Sequence, residues 1–343
     1  SSFEKKYKVN WNKRKEDFLK IVNKIKKKNL NYDCLIPVSG GKDSTWQVLT
    51  ALKYGLKPLC VTWKTPFRTN IGKQNIQNLI NLGVDHFDVS INPRIEKDFM
   101  LKAFKILGSP AVPMHMALHA IPLNIAVKYK IPLIIWGENS ALEYGGSSNR
   151  LKGSRMDSAW RKKFGNYYNL NLKKWFKKSL KLKDLNIYTI PNSKKIKNTN
   201  INEIFLGHFF KWDPVKIYKI VKKYNFKTLS KPKIGFYKFA DIDDDFIVSI
   251  HHWIKWYKFG FTRLFDNLSI EIRNGRMSRK KAKEILNKKI KPPSNEVKSF
   301  CKYVKISKKT FYQIVEKFRN KHIWTKKKNK WYIDNFLIKD FKW

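Results

Sequence analysis

The chain has 343 residues and is 42% hydrophobic, so it can bury a large core in two or three domains and is not a disordered polymer. A net charge of +47 attracts polyanions, but the lysines run the whole length together with Asn and Ile. The charge therefore reads as compositional drift, and nucleic acid is not the partner expected. No apolar run approaches the ~20 residues that cross a bilayer. Three scattered cysteines, Cys34, Cys60 and Cys301, exclude a disulfide framework and fit a reducing cytoplasm.

Residues 1–30 read as one basic amphipathic helix, with Phe18, Ile21, Val22 and Ile25 at helical spacing. The start at Ser1-Ser2 reads as a trimmed N-terminus. Residues 33–44, DCLIPVSGGKDS, follow as a short apolar strand, a tight Ser39-Gly40-Gly41 turn and a helix from about Lys42. Adjacent glycines let backbone approach a bulky anion, and the N–H groups opening the helix point at it. Ser39 and Ser44 add hydroxyls, Lys42 a cation, and Asp43 a carboxylate able to hold magnesium against phosphate oxygens. The loop is not GxxxxGK[ST]. It resembles the SGGxDS PP-loop of the ATP pyrophosphatases, which cleave ATP between the α- and β-phosphates.

Strands are predicted over 57–63 (KPLCVTW), 84–91 and 131–136 (IPLIIW), and helices over 71–82, 95–107 and 115–130. This alternation implies an α/β fold, a doubly wound parallel sheet spanning 31–225. Ligands bind at the carboxyl ends of such strands. Val61, Thr62 and Trp63 are thus candidates to border the adenine, and Gly137, Glu138 and Asn139 stand on the same rim as the phosphate loop. Glu138 is the candidate second metal ligand or acceptor for a nucleophile. Glu143 and Tyr144 follow, with the Gly145-Gly146 turn. Residues 140–200 read as an insertion, basic over 147–200 with 14 Lys and Arg against 2 Asp in 151–200; its first part, GENSALEYGGSSNR, reads as a substrate loop. A helix opens at Asp213-Pro214, and helices predominate over 226–343. There, Asp241, Asp243, Asp244 and Asp245 read as a helix cap before a magnesium site, and Lys258, Arg263, Arg273 and Arg276 as guanidinium and ammonium donors for a carboxylate or phosphate.

In order along residues 32–320, SGGKDS, WGEN with EYGG, FLGHFFKWD, DIDDD and KFGF-TR-FD-IRNGR resemble the N-acetyl sugar amidotransferases of WbpG and PseA type. The resemblance implies a PP-loop (adenine nucleotide alpha hydrolase-like) domain with a helical C-terminal region. It implies ATP and Mg2+ as cofactors, and ATP-driven conversion of an N-acetyl group on a surface-glycan sugar to an acetamidino group. Carried over by position, Ser39, Gly40, Gly41, Lys42, Asp43 and Ser44 bind the nucleotide, with Asp43 on magnesium. Lys42, Asp43 and Glu138 are the catalytic set. Asn139, Glu143 and Tyr144 fall on the sugar side, and Lys258, Arg263, Arg273 and Arg276 carry over as substrate or structural residues, since the motif does not fix their roles. The family's ammonia comes from separate glutaminase and cyclase-like channel subunits, resembling the imidazole glycerol phosphate synthase pair. Its zinc-binding cysteines are missing here, so zinc enters only if such a segment precedes Ser1. The rival readings are a PP-loop tRNA-modifying enzyme, of thiolation or lysidine type, and a nucleic-acid-binding protein with a decayed nucleotide fold.

Overall fold

In the computed structural model, residues 9–144, 153–165, 170, 172–175, 182–289 and 292–336 are described. They form two compact units: one holds the chain up to Ile95 with Val112–Lys227, the other Glu96–Ala111 with the residues from Thr228.

The first unit opens with α1 (Trp11–Lys26), capped where Asn10 accepts from the Lys13 N–H at 3.0 Å. Its apolar stripe is buried: Phe18 meets Tyr54, Phe209 and Phe210 at ring distances of 5.2–5.6 Å. Then come β1 (Cys34–Pro37), α2 (Lys42–Lys53), β2 (Pro58–Trp63), α3 (Asn70–Ile80), β3 (Asp85–Val89) and α4 (Pro93–Leu107). Next are α5 (Val112–Lys128), β4 (Leu133–Trp136), α6 (Ser140–Glu143), α7 (Ser158–Phe164) and α8 (Leu172–Trp175). After a 3-10 turn, α9 (Ser193–Asn198), β5 (Asn202–Phe205), α10 (Leu206–Phe209) and α11 (Pro214–Lys222) complete the unit.

The five strands lie in the order β3-β2-β1-β4-β5, and every pairing is parallel. The chain winds outward from β1 to β3, then crosses back to β4 on the other side of β1. That reversal leaves a crevice beyond the carboxyl ends of β1 and β4, where open α/β sheets take ligands. This is the doubly wound α/β sheet the sequence predicts. Helix α5 is apolar on nearly all sides and mostly buried, as a helix hydrophobic all round is.

The lysine-rich part of the insertion, beyond the stretch read as a substrate loop, is architectural over residues 153–165. Arg155 bridges Ile204 in antiparallel fashion, and the Phe205 N–H donates to the Ser154 carbonyl at 2.8 Å, so this segment covers the edge of β5. Trp160 packs into a cluster with Ala141, Met156 and Phe205. Phe176 and the Gly145-Gly146 turn lie outside the described residues.

The second unit contains α12 (Ile247–Phe259), α13 (Arg263–Arg273), α14 (Arg279–Lys289), α15 (Ser294–Val304) and α16 (Lys308–Glu316). It also holds a hairpin of β6 (Trp324–Lys327) and β7 (Lys330–Ile333), which the expectation of predominant helices did not include. Lys328 and Asn329 both take positive φ, 45° and 59°, the pattern of a tight type I′ hairpin turn. Phe104 of α4 stacks on Phe311 at 5.0 Å and meets Phe300 edge-on at 5.1 Å, so most of α4 joins this aromatic core. Asp244 lies two residues before Phe246, the N-cap of α12, and accepts from the first-turn Val248 N–H at 2.9 Å.

Candidate active site

The loop after β1 is shaped by its own side chains. Gly40 sits at φ +79°, and a Cβ there would fall 2.8 Å from Ile76 Cγ1 and 3.0 Å from the Gly72 carbonyl. The Gly41 N–H donates to Ser39 Oγ at 3.3 Å, and Ser44 Oγ donates to the Gly41 carbonyl at 3.0 Å. These bonds tie Ser39 to Ser44 across the turn and set α2 with Gly41 as its N-cap. The first-turn amides of a helix have no intrahelical acceptor, and they carry the positive end of its dipole.

Two charged residues stand at this end of α2. The Lys42 ammonium pairs with Asp43 Oδ2 and lies 5.4 Å from the centroid of Trp212. The indole Nε1 of Trp212 donates to Asp43 Oδ1 at 2.9 Å. Tyr144, on the loop after β4, meets Trp212 edge-on at 6.4 Å. The turn after β1, the loop after β4 and the turn before α11 therefore meet around Asp43. Trp212 is the residue that motif reading missed. Its FFKWD context belongs to the quoted motifs, but nothing in its spacing ties it to a residue 169 positions away.

On the β4 side, Gly137 lies over Gln47, whose Nε2 donates to the Ile135 carbonyl at 3.1 Å. The Gly207 N–H donates to the Gly137 carbonyl at 3.0 Å, and a Cβ on Gly207 would sit 3.3 Å from Glu138 Cα. Glu138 is thus held at the strand end by close backbone packing, with its side chain half-buried.

Other candidate residues stand elsewhere than expected. Asn139, read as a substrate contact, is wholly buried. Its Oδ1 accepts from the Ala141 N–H and from Trp160 Nε1, both at 2.9 Å, and its Nδ2 donates to the Gly153 carbonyl at 3.0 Å. It caps α6 and anchors the covering segment. Glu143 is also buried. Thr62, read as bordering the adenine, donates to the Val38 carbonyl at 2.7 Å and bonds His86 Nε2 at 2.8 Å, so its hydroxyl braces β1. Val61 and Trp63 are buried beside it, and the Val61 carbonyl accepts from the Val38 N–H at 2.8 Å.

The four C-terminal cations do not form the convergent set their spacing suggested. Lys258 donates to the Leu107 carbonyl at 2.5 Å, and burial lowers its pKa to about 8. Arg276 makes a two-pronged pair with buried Glu271 at 2.7 and 2.8 Å, and Tyr237 donates to the same carboxylate. Arg273 donates to the Ser269 carbonyl within its own helix at 3.3 Å. Arg263 packs its aliphatic stem beside Gly235.

Among the described residues, no three His, Cys, Asp or Glu side chains gather into a metal cage. Asp43 suits a different role, since magnesium in nucleotide sites takes one or two carboxylates and completes its shell with phosphate and water. A glycine-lined turn, hydroxyls, a lysine and one carboxylate are a donor set that fits a magnesium-bound phosphate chain. The three thiols are buried, and burial pushes Cys60 up to about 12, far from a nucleophile's range. No helix among the described residues is long and apolar enough to cross a membrane.

Residues 219–337 match the family model of the LPS biosynthesis protein WbpG-like, C-terminal domain. An uncharacterized protein of Methanocaldococcus jannaschii is 33% identical over 87 residues, 25% of this chain and 30% of that protein's length. The chain is also similar to the NH3-dependent NAD synthetase of Campylobacter jejuni, crystallised with nitrate ion, at 20% identity and TM-score 0.30 over 63% of this chain and 94% of that one. For the NMN synthetase of Francisella tularensis the values are 13% and 0.28 over 66% and 100%. At those scores neither structure adds to what the sheet order itself shows. Residues in the C-terminal part are thus similar to the WbpG-like C-terminal domain, and they follow a doubly wound α/β domain.

Proposed function

We propose that this protein is an ATP-dependent amidotransferase that turns the N-acetyl group of a surface-glycan sugar into an acetamidino group. The observation that carries the reading is the phosphate loop with Lys42 and Asp43 at the head of α2, at the sheet's switch point. The WbpG-like domain directs it to glycan chemistry.

The amide oxygen of an N-acetyl group is a poor leaving group, so it must be activated. Its carbonyl oxygen attacks the α-phosphorus of ATP, the bond to the β-phosphate breaks, and pyrophosphate leaves. Ammonia adds to the activated carbon, AMP departs with the oxygen, and loss of a proton leaves the amidine. Ser39 to Ser44 cradle the departing pyrophosphate, Lys42 offsets its charge, and Asp43 holds magnesium, which neutralises the phosphate chain when bound. Glu138, on the facing rim, accepts the ammonia proton. Tyr144 stands nearest the sugar. Ammonia comes from a separate glutaminase and channel subunit, the supply that the resemblance to the WbpG and PseA type implies.

The test supplies ATP, ammonium chloride and a panel of N-acetylated sugars and nucleotide sugars, and follows the sugar by mass spectrometry. A product about one mass unit lighter, with oxygen replaced by NH, is the expected outcome. Turnover triggered by bulk tRNA and by no sugar would replace this reading with that of a tRNA-modifying enzyme.

A further inference from the structure

We infer that Trp212 is a positioning residue of the phosphate loop, its indole N–H fixing the Asp43 carboxylate in the orientation that receives magnesium. The inference rests on the nucleotide reading above and assigns a role to a residue outside the loop itself.

Trp212 is 5% exposed, and its Nε1 donates to Asp43 Oδ1 at 2.9 Å. An indole N–H is a donor only, so it orients a carboxylate without competing as a metal ligand. The other restraint on Asp43 is the Lys42 ammonium, which bonds Oδ2. That restraint sets no fixed orientation, because a lysine is a point charge on a flexible stem. When Lys42 turns to a phosphate oxygen, Trp212 still holds Asp43 in place.

The anchor itself is stiff. The next residue, Asp213, caps α11 by accepting from the Val215 and Lys216 N–H groups at 2.9 and 3.3 Å. On the other side, the Gly207 backbone lies close to Trp212, where an added Cβ would sit 3.5 Å from Trp212 Cβ. A buried tryptophan needs some acceptor for its N–H; this one has the carboxylate of the phosphate loop.

The test measures binding of α,β-methylene-ATP to the full chain by calorimetry, in EDTA and across a magnesium titration. Trp212→Phe keeps the ring and removes the N–H. The expected result is unchanged affinity in EDTA and an unchanged melting temperature, with the magnesium-dependent gain cut about tenfold, the size of a lost hydrogen bond to a charged group. Trp212→His, which restores a ring N–H, recovers part of that gain. In the Asp43→Ala background, Trp212→Phe has no further effect, since it acts through that carboxylate. Equal loss with and without magnesium, or a full further loss in the Asp43→Ala background, would overturn the inference and leave the nucleotide reading standing. A wild-type chain that binds no analogue in either condition fails at the nucleotide reading, and the inference falls with it.

Discussion

The phosphate loop and the inner wall behind β4 and β5 are assembled from the same parts. In each, a cation pairs with a carboxylate and a tryptophan N–H donates to that carboxylate: Lys42, Asp43 and Trp212 in one, Arg161, Glu203 and Trp136 in the other. Exposure separates them. The Asp43 side chain is 31% accessible, while those of Arg161 and Glu203 are 7% and 5% accessible. Identical bonding therefore serves two ends. Where solvent reaches the carboxylate, the arrangement is the candidate site; where it does not, it is a clamp joining the covering segment to the sheet edge.

The comparison is broken most sharply by removing each carboxylate system in turn. Asp43→Ala is expected to lower pyrophosphate release at least about 100-fold while circular dichroism and melting stay near those of the wild type. Arg161→Met should do the reverse. It strands the Glu203 charge in the interior at a cost of about 3–5 kcal/mol in urea unfolding, and Arg161→Met combined with Glu203→Leu should regain most of that loss.

How far these roles were legible follows from the range of the interactions. The conformation of SGGKDS could be read because strand, turn and helix are contiguous, so local sequence decides it. Asp213-Pro214 could be read as a helix start for the same reason, and the structure caps α11 there. Asn139 was misplaced because its neighbours in sequence suggested a rim, while its fate is decided by Trp160, 21 positions on. The pairing of Arg161 with Glu203, and of Phe104 with Phe300 and Phe311, likewise depends on segments meeting in three dimensions. The hairpin escaped notice because Lys328 holds a positive φ that glycine or asparagine would have signalled.

Smaller effects sharpen the contrast. Gly40→Ala places a methyl group at φ +79° against α3, and should cost about 1–3 kcal/mol and weaken nucleotide binding together. The inner wall carries its own pH signature. His119 stands 5.2 Å from the Trp136 ring, and burial, with Arg161 nearby, lowers its pKa to about 3. The unfolded chain then binds the extra proton first, so stability is full above about pH 6.5 and is lost as pH falls toward 3. His119→Phe should flatten the melting temperature over that interval. His208, lowered to about 4 chiefly by burial, leaves a residual slope.

The central claim is that the loop at Ser39 to Ser44 cleaves ATP between its α- and β-phosphates. Chromatography of the nucleotide products, with ammonium and the sugar panel present, tests it directly. AMP and pyrophosphate in equal amounts, formed only when an acceptor sugar is present and absent with Asp43→Ala, are the predicted result. ADP and phosphate as products, or undiminished turnover in Asp43→Ala, would contradict it.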